Sequence, residues 1–256
     1  MINGKRVVLT IEARMTSSRL PGKVLLPAGG KPMLQILIER VKLSKYVDDI
    51  VVATTTNEAD EPIISLCKNI NIKYFRGSEN NVLKRVCAAA QYANAEIIVE
   101  ITGDDILQDP ELIDHALTTF GDNYPIHRYV ANTGAMPWGF DIKVFGASEL
   151  YEINNDNPDE LDREHVSYSF YRKESKGKYN PYFIQYRGEL NRPELRLTLD
   201  YEEDYELIKA VYEDLNTYTP NFSSIDIIKW LDEHPDLRDK PIKLREELER
   251  NTLLTE

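Results

Sequence analysis

The chain has 256 residues, 42% of them hydrophobic, which predicts one large folded α/β domain rather than a disordered chain. Its formal net charge is −12, and no basic face appears outside one short loop, so a nucleic-acid partner is not expected. Cys67 and Cys87 lack metal-ligand spacing and are expected to be buried thiols in a reducing compartment. The sequence shows no signal-like segment or membrane-length apolar run, so we expect a cytoplasmic protein without a membrane partner.

The first half of the chain alternates between strand and helix patterns. Buried strands are predicted at residues 7–11, 50–54, 73–76 and 96–101, and helices at 33–42, 60–69, 81–92 and 110–118. Strands that alternate with helices of about ten residues predict a mostly parallel central sheet with helices on both faces, a three-layer α/β fold.

The alternation loosens after residue 122. Strands are predicted at 129–132 and 140–145, a helix at 147–154, and a charged segment at 159–166 that runs into aromatic residues. A last strand at 195–200, a long helix at 201–215 and a closing helical tail at 223–256 complete the chain. We therefore predict a single domain over 1–256, in which 122–186 is an excursion.

A basic loop follows the first predicted strand. Residues 13–23, ARMTSSRLPGK, contain hydroxyl groups, two arginines and a lysine within an acidic chain. Backbone N–H groups, hydroxyl donors and cations beside a strand end are what polyphosphate binding requires. The alternative is a polar loop that is basic by chance.

Two aspartates are predicted to leave strand ends. Asp104 follows the strand at 96–101, and Asp200 ends the strand predicted at 195–200. Ligands bind beyond the carboxyl ends of parallel strands, and Mg²⁺ usually takes one or two carboxylates besides substrate phosphates. The structural alternative is that these carboxylates cap helices, although Asp109 already stands immediately before Pro110 to cap the helix at 110–118.

These motifs resemble those of the sugar-activating cytidylyltransferases. ARMTSSRLPGK resembles the signature A-R-x-x-S-x-R-L-P-G-K, ITGDDILQDPELID is similar to T-G-D-x-x-x-x-D-P-x-L-I-D, and RLTLDYEEDYELI is similar to R-x-T-x-D-T-x-E-D-L-x-L-I. Within that superfamily the chain is most similar to the spore coat polysaccharide biosynthesis protein F family, which is related to the 3-deoxy-manno-octulosonate and acylneuraminate cytidylyltransferases. The matching segments spread over nearly the whole chain.

The resemblance implies a Rossmann-like fold of the nucleotide-diphospho-sugar transferase type, with a small β-rich excursion, in a homodimer. It implies an Mg²⁺-dependent transferase that moves CMP from CTP to a sugar acceptor and releases pyrophosphate, in the synthesis of a surface polysaccharide or glycan precursor. Asp104 and Asp200 would hold the metal and, with Arg14 and Lys23, form the catalytic set. The expected nucleotide-binding residues are Ala13, Arg14, Ser17, Ser18, Arg19, Lys23 and Thr102.

Two further segments carry weaker expectations. FRGSENNVLKR resembles a segment that borders the nucleotide, so Arg76, Ser78 and Asn81 are candidates, although Gly77 and Ser78 could instead form a plain turn and helix cap. The excursion carries segments similar to G-x-D-x-x-V-F and L-D-R-E-H-V, which imply an acceptor pocket; a solvated helix start is the alternative for the second. The acceptor-binding residues expected there are Asn132, Trp138, Asp141, Lys143, Arg163, Glu164 and His165.

Several positions depart from the resembled pattern. Glu12 stands where glutamine is expected, Glu100 and Trp138 where arginine is expected, Lys143 where an acidic residue is expected, and Asp105-Ile106 where a cysteine–proline pair is expected. These changes spare the phosphate loop and both aspartates, so we expect the same reaction with a different acceptor, less acidic or differently amino-substituted. Lys143 could supply a charge to that acceptor, whereas Glu12 or Glu100 could face solvent or pair with Arg14.

Two other functions stay open at this point. One is a transferase that uses GTP or another nucleotide with a sugar 1-phosphate as acceptor. The other is a protein that binds a nucleotide without turnover, for which a lost metal ligand would be expected, yet both aspartates are present.

Overall fold

A seven-stranded sheet forms the centre of the fold. The computed structural model describes residues 1–132, 134 and 136–253. The strands are β1 Val7–Glu12, β2 Pro27–Ala28, β3 Lys31–Pro32, β4 Asp49–Thr55, β5 Lys73–Gly77, β6 Ile97–Thr102, β7 Tyr129–Ala131, β8 Lys143–Gly146 and β9 Tyr182–Phe183. The central sheet has the order β5-β4-β1-β6-β8-β7-β9, while β2 and β3 form a separate antiparallel pair. Strands β5, β4, β1 and β6 are parallel, β8 runs antiparallel to β6 and β7, and β9 is parallel to β7. The predicted α/β class with a mostly parallel sheet is confirmed.

The helices follow the predicted order. They are α1 Met33–Val41, α2 Glu61–Asn69, α3 Val82–Tyr92, α4 Pro110–Asn123, α5 Ala147–Asn155, α6 Glu160–Glu164, α7 Tyr168–Tyr171, α8 Lys176–Tyr179, α9 Glu202–Tyr218, α10 Ser224–Glu233, α11 Pro235–Arg238 and α12 Lys240–Leu253. Short 3₁₀ helices lie at Lys23–Leu25, Glu58–Asp60 and Gly188–Leu190. Asn81 caps α3 and Asp109 caps α4 through their side chains. Asp109 is the cap expected from the sequence, whereas the cap considered at Ser78 is replaced by Asn81.

The alternation of side chains along β1 creates two cores. Val7, Leu9 and Ile11 are fully buried in the cluster that includes residues of α1, α4 and α9. Val8 points to the opposite face and packs in a second cluster with residues of α3 and α5. Because successive side chains of a strand alternate between faces, Thr10 and Glu12 lie on the same face as Val8. That face therefore becomes more polar toward the carboxyl end of β1.

The predicted strand at 195–200 is wrong. Only Arg196 forms a bridge, with Trp138, and the backbone of this segment pairs with loops instead of the sheet. The Leu197 N–H donates to the Trp138 carbonyl at 2.7 Å, and the Leu199 N–H donates to the Asp104 carbonyl at 2.9 Å. The segment thus lies across the loops at the carboxyl end of the sheet, and this brings Asp200 to Asp104.

The excursion at 122–186 contributes β7, β8 and β9 to the central sheet and also contains α5, α6, α7 and α8. The strand predicted at 140–145 begins later, at Lys143. Asn132 explains the delay, because its side-chain amide donates to the Phe140 carbonyl and accepts from the Ile142 N–H, each at 2.7 Å. These bonds hold residues 140–142 as a turn.

The C-terminal tail forms three helices, α10, α11 and α12, where one closing helix was predicted, and residues 254–256 of that prediction lie outside the described residues. Among the described helices, none is long and apolar enough to span a bilayer.

Candidate active site

A cleft of about 820 Å³ opens at the carboxyl ends of β1 and β6. It is lined by Glu12, Ala13, Arg14, Ser17, Ser18, Arg19, Lys23, Val24, Glu79, Asn80, Val82, Arg85, Thr102, Gly103, Asp104, Glu160, Arg163, Glu164 and His165. Gly103 allows the two strand ends to meet, since its N–H donates to the Glu12 carbonyl at 2.8 Å. A Cβ at Gly103 would lie 2.6 Å from that same oxygen, so any other residue would push the strand ends apart.

Lys23 joins the two aspartates. Its ammonium Nζ lies 2.7 Å from Asp104 Oδ2 and 3.1 Å from Asp200 Oδ1. Gly22, whose φ of 73° suits a glycine, turns the chain so that the Lys23 side chain enters the cleft. The lysine is only 8% exposed, so it forms a nearly buried cation between carboxylates from distant parts of the chain.

Asp200 faces three cations at hydrogen-bonding range. Besides Lys23, Arg19 NH2 lies 2.6 Å from Oδ1 and Arg196 NH2 lies 3.4 Å from Oδ2. Burial alone would raise the pKa of Asp200, but Lys23, Arg19 and Arg196 hold this pKa below its usual value. The carboxylate is therefore charged at neutral pH, as a metal ligand must be.

The donor set at Asp104 and Asp200 fits a hard divalent cation. Two carboxylate oxygens from separate segments converge on one cation, the Lys23 ammonium, which shows that the site favours positive charge. Over the described residues no group of three or more His, Cys, Asp or Glu side chains forms a metal site. Two carboxylates completed by substrate phosphates are the usual protein contribution to Mg²⁺ binding, so the residues present fit that ion.

Glu100 and Lys143 form a buried ion pair next to the cleft. They face each other across the antiparallel pair β6 and β8, with Lys143 Nζ 2.8 Å from Glu100 Oε1. Glu100 is 2% exposed, so it neither faces solvent nor pairs with Arg14. Burial opposes the charge on Lys143, yet Glu100 and Tyr129 hold the lysine pKa well above its usual range. Glu100 and Lys143, two of the positions that depart from the resembled pattern, therefore neutralise each other's charge. The Lys143 ammonium is paired with Glu100 and not with a ligand in the cleft.

Comparison with known proteins identifies the family. The family model described as Cytidylyltransferase matches residues 8–224. The chain belongs to the cytidylyltransferase family. Spore coat polysaccharide biosynthesis protein SpsF of Bacillus subtilis (strain 168) is 33% identical to this cytidylyltransferase over 235 residues, covering 90% of the chain and 95% of SpsF. The expected family and enzyme class, a nucleotidyltransferase, are thereby confirmed.

Solved structures share the fold of this cytidylyltransferase. A cytidylyltransferase from Leptospira borgpetersenii serovar Hardjo-bovis (strain JB197) has a TM-score of 0.84 and 31% identity, covering 92% of this chain and 98% of its own. CMP:2-keto-3-deoxy-manno-octonic acid synthetase complexed with CTP has a TM-score of 0.61 at 16% identity, covering 82% of this chain and 99% of its own. At 16% identity, the similarity to the octonic acid synthetase shows a shared fold and nothing more.

The cleft of the cytidylyltransferase brings together most residues predicted for the nucleotide and part of the acceptor set. Residues from the basic loop, the end of β6 and α6 line it: Ala13, Arg14, Ser17, Ser18, Arg19, Lys23, Thr102, Asp104, Arg163, Glu164 and His165. Asp200 adjoins them through Lys23 and Arg19. The Thr102 hydroxyl donates to Asp105 Oδ2 at 2.7 Å, and burial together with Asp104 raises the pKa of Asp105 well above its usual range.

Three nucleotide candidates lie outside the lining of the cleft. The Arg76 guanidinium donates to the carbonyls of Thr55 and Asn57, both at 3.1 Å. Ser78 Oγ accepts from the Asn81 N–H at 3.1 Å, and Asn81 Oδ1 accepts from the Lys84 N–H at 2.9 Å. These side chains build the turn that leads into α3, at the edge of the cleft.

The remaining acceptor candidates also lie outside the lining of the cleft. Trp138 is 54% exposed, and the Arg196 guanidinium carbon stands 5.5 Å from the ring centroid. Asp141 Oδ2 accepts from the Gly139 N–H at 3.4 Å, and burial raises the pKa of Asp141. Asn132 is buried and holds the turn at 140–142.

Sequence reasoning missed the residues that hold the basic loop. Asp60 is fully buried and accepts from the Met15 N–H at 2.7 Å, the Thr54 hydroxyl at 3.1 Å and the Thr55 N–H at 3.1 Å. Glu79 accepts from the Thr16 hydroxyl at 2.6 Å. The signal available for Asp60 was its place at the start of the helix predicted at 60–69, a few residues after the hydroxyl groups of Thr54 and Thr55.

Arg85 was missed as well. It is 3% exposed, lines the cleft and donates through Nε to the Ala53 carbonyl at 3.2 Å. Its place between Leu83 and Val86 on the buried face of α3 was the signal, because a cation at an apolar helical position needs a specific partner.

Proposed function

We propose that this cytidylyltransferase moves CMP from CTP to a sugar or sugar-like acceptor, with Mg²⁺ and release of pyrophosphate, in the synthesis of a surface polysaccharide or glycan precursor. The observation that carries the proposal is the convergence of Asp104 and Asp200 on Lys23 beside the basic loop. The names of similar proteins support it, since SpsF is a spore coat polysaccharide biosynthesis protein and the octonic acid synthetase binds CTP.

The basic and hydroxyl side chains of the cleft would bind the triphosphate, and the two aspartates would bind the metal ion. Arg14, Ser17, Ser18 and Arg19 would hold the triphosphate together with the backbone at Ala13, and Thr102 would border the nucleotide. Asp104 and Asp200 would hold Mg²⁺, which supplies a positive charge to the reacting phosphate oxygens when it is bound. Lys23, released from the aspartates, would then bind the phosphate oxygens of the leaving pyrophosphate.

The acceptor would enter from the side of α6. Arg163, Glu164 and His165 line this wall and offer both charges and a ring nitrogen to a sugar. An oxygen of the acceptor attacks the α-phosphorus, and the bond to pyrophosphate breaks, so the enzyme mainly aligns the reactants. Asn132, Trp138 and Asp141 would shape the outer part of this pocket, and we also propose a homodimer.

A pyrophosphate-release screen tests the proposal. It crosses the four nucleoside triphosphates with keto-acid sugars and sugar phosphates, with and without Mg²⁺, and uses Asp104→Asn as the inactive control. We expect release only with CTP, Mg²⁺ and a sugar acceptor. Pyrophosphate release with GTP and a sugar 1-phosphate would show that GTP, and not CTP, is the nucleotide donor. Tight nucleotide binding without pyrophosphate release in any pair would argue for a non-catalytic nucleotide-binding protein.

A further inference from the structure

The innermost wall of the cleft contains a glutamate whose buried oxygen lacks a partner. Glu12 ends β1 and lines the cleft. Among the described residues, its Oε1 is buried and has no hydrogen-bond partner. A buried acceptor without a donor has lost its hydrogen bond to water and gained none in return, so such a group needs an explanation.

A second carboxylate stands behind Glu12. Glu12 aligns with Thr102 on β6, and Glu100 aligns with Thr10, so Glu12 and Glu100 share one face of the sheet. Glu100 gives one oxygen to Lys143, and within the described part of the chain its buried Oε2 is also without a partner. Burial and the neighbouring Glu100 raise the pKa of Glu12 to about 8, as expected for a buried carboxyl group that lacks a hydrogen-bond donor.

The charges around this wall select the chemistry of its ligand. An ionised phosphate or sugar carboxylate brings only oxygen acceptors to this wall, so it would give Glu12 and Glu100 no donor. Lys143 and Arg85, which both act on Glu12, make the same place unfavourable for a metal ion. A group with two N–H donors and a positive partial charge is what the carboxylates lack, and an amino group supplies it whereas a hydroxyl has one donor.

We propose that Glu12, positioned by Glu100 and Lys143, accepts a hydrogen bond from an amino group of a substrate and thereby selects that substrate. The inference rests on the proposed function. The amino group has two possible sources, the exocyclic amine of the cytosine base or an amino substituent of the acceptor sugar. Carboxylates accept from the cytosine N4 amine in nucleic-acid recognition, whereas uracil presents only an acceptor at that position.

Glu12→Leu is the test variant because leucine keeps the bulk and removes the acceptor. Glu149→Leu is its matched control, since Glu149 is also buried but accepts from the Tyr124 hydroxyl at 3.1 Å and the Ser148 hydroxyl at 2.8 Å. Without ligand, Glu12→Leu is expected to keep or raise the melting temperature, whereas Glu149→Leu lowers it. A residue kept only for structure would behave like Glu149.

Equilibrium binding of CTP and UTP with Mg²⁺ then separates the two sources. If the base supplies the amine, Glu12→Leu weakens CTP binding about 5- to 100-fold and leaves UTP binding within twofold. If the acceptor supplies it, both nucleotides bind as in the wild type, and kcat/KM in the pyrophosphate assay falls by a similar factor for an amino sugar but not for its hydroxyl analogue. Glu12→Gln repeats both assays in case the leucine variant does not fold, with a smaller loss expected in the same direction.

The proposal is overturned if the wild type binds nucleotide and releases pyrophosphate but neither the CTP-to-UTP ratio nor the amino-to-hydroxyl ratio changes in the Glu12 variants. A wild type that binds no nucleotide and releases no pyrophosphate would overturn the proposed function itself, and this inference with it. The two failures are therefore distinguishable.

Discussion

The two walls of the cleft treat their carboxylates in opposite ways. On the side of the basic loop, Asp104 and Asp200 are each within 3.1 Å of Lys23, and Arg19 adds a further contact to Asp200. On the opposite side, Glu12 and Glu100 keep buried oxygens that have no partner among the described residues. Cations thus hold the pKa of Asp200 below its usual value at one wall, whereas at the other wall the pKa of Glu12 is raised and one oxygen each of Glu12 and Glu100 lacks a partner among the described residues.

The difference between the walls determines whether a ligand must displace existing protein contacts in order to bind or can form a new hydrogen bond without displacing any. At the wall formed with the basic loop, a metal or a triphosphate would replace contacts that already exist, so selectivity there would depend on charge. A donor that binds at Glu12 Oε1 displaces no hydrogen-bond partner among the described residues. The new hydrogen bond therefore stabilises the complex without the loss of an existing contact. Variants at Lys23, Asp104 and Asp200 test the wall where contacts are displaced, and variants at Glu12 and Glu100 test the wall where a new hydrogen bond can form.

Reversing the charge of Glu100 should give the largest effect. Glu100→Arg places two cations opposite each other on β6 and β8, and breaking a buried ion pair costs about 3–5 kcal/mol of unfolding free energy. Adding Lys143→Glu should recover most of this loss, because the pair then exists with its charges exchanged. Urea unfolding of the two single variants and the double variant measures it. A double variant no more stable than the worse single one would show that the two residues do not act as a pair.

Removing either aspartate should come next. Asp104→Ala and Asp200→Ala should each lower kcat/KM by about 10²–10³-fold while the protein stays folded, because each removes one preorganised electrostatic contact at the reacting phosphate. The double variant should be only slightly worse than either single one, since residues that act as a unit are not additive. Pyrophosphate release gives the rates, and multiplicative losses would mean that the two carboxylates do not share an ion.

Lys23→Met should have an intermediate effect. Losing a charge-assisted contact that strengthens as charge moves to the leaving pyrophosphate should lower kcat on the order of 10–100-fold, with a smaller change in KM. Without the lysine, Asp104 and Asp200 lose the cation that lies between them, so Mg²⁺ should raise the melting temperature of the variant more than that of the wild type. Lys229→Met, at an exposed position, is the control. A change in KM alone would place Lys23 outside the transition-state contacts.

The pH dependence of stability tests the raised pKa of Glu12 directly. The folded state holds the Glu12 proton up to a pKa of about 8, whereas the unfolded state releases it near 4.5, so the unfolding free energy should fall as pH rises through this interval. Glu12→Gln cannot titrate, so its stability should fall less between pH 5 and 8. Urea midpoints across this range measure the difference, and parallel profiles for the two proteins would contradict the raised pKa.

Local signals in the sequence were sufficient for much of the fold and part of the site. Apolar runs located β1, β4, β5 and β6, and the capping residue Asp109 located the start of α4. The basic loop and Asp104 were found because they directly follow strands, and the carboxyl ends of parallel strands meet at one edge of a sheet. Each of these features depends on residues close together in the chain.

Tertiary structure decided what depends on distant residues. Asp60 supports Met15 from 45 positions away, and Asp200 meets Lys23 across 177 positions, through a segment that bonds to loops and not to the sheet. The sequence shows Glu100 and Lys143 as two separate departures, and only the register of β6 against β8 shows that they form one ion pair. A sequence pattern records residue types along the chain, whereas hydrogen bonds, burial and pKa depend on which groups the fold places within a few ångströms of each other.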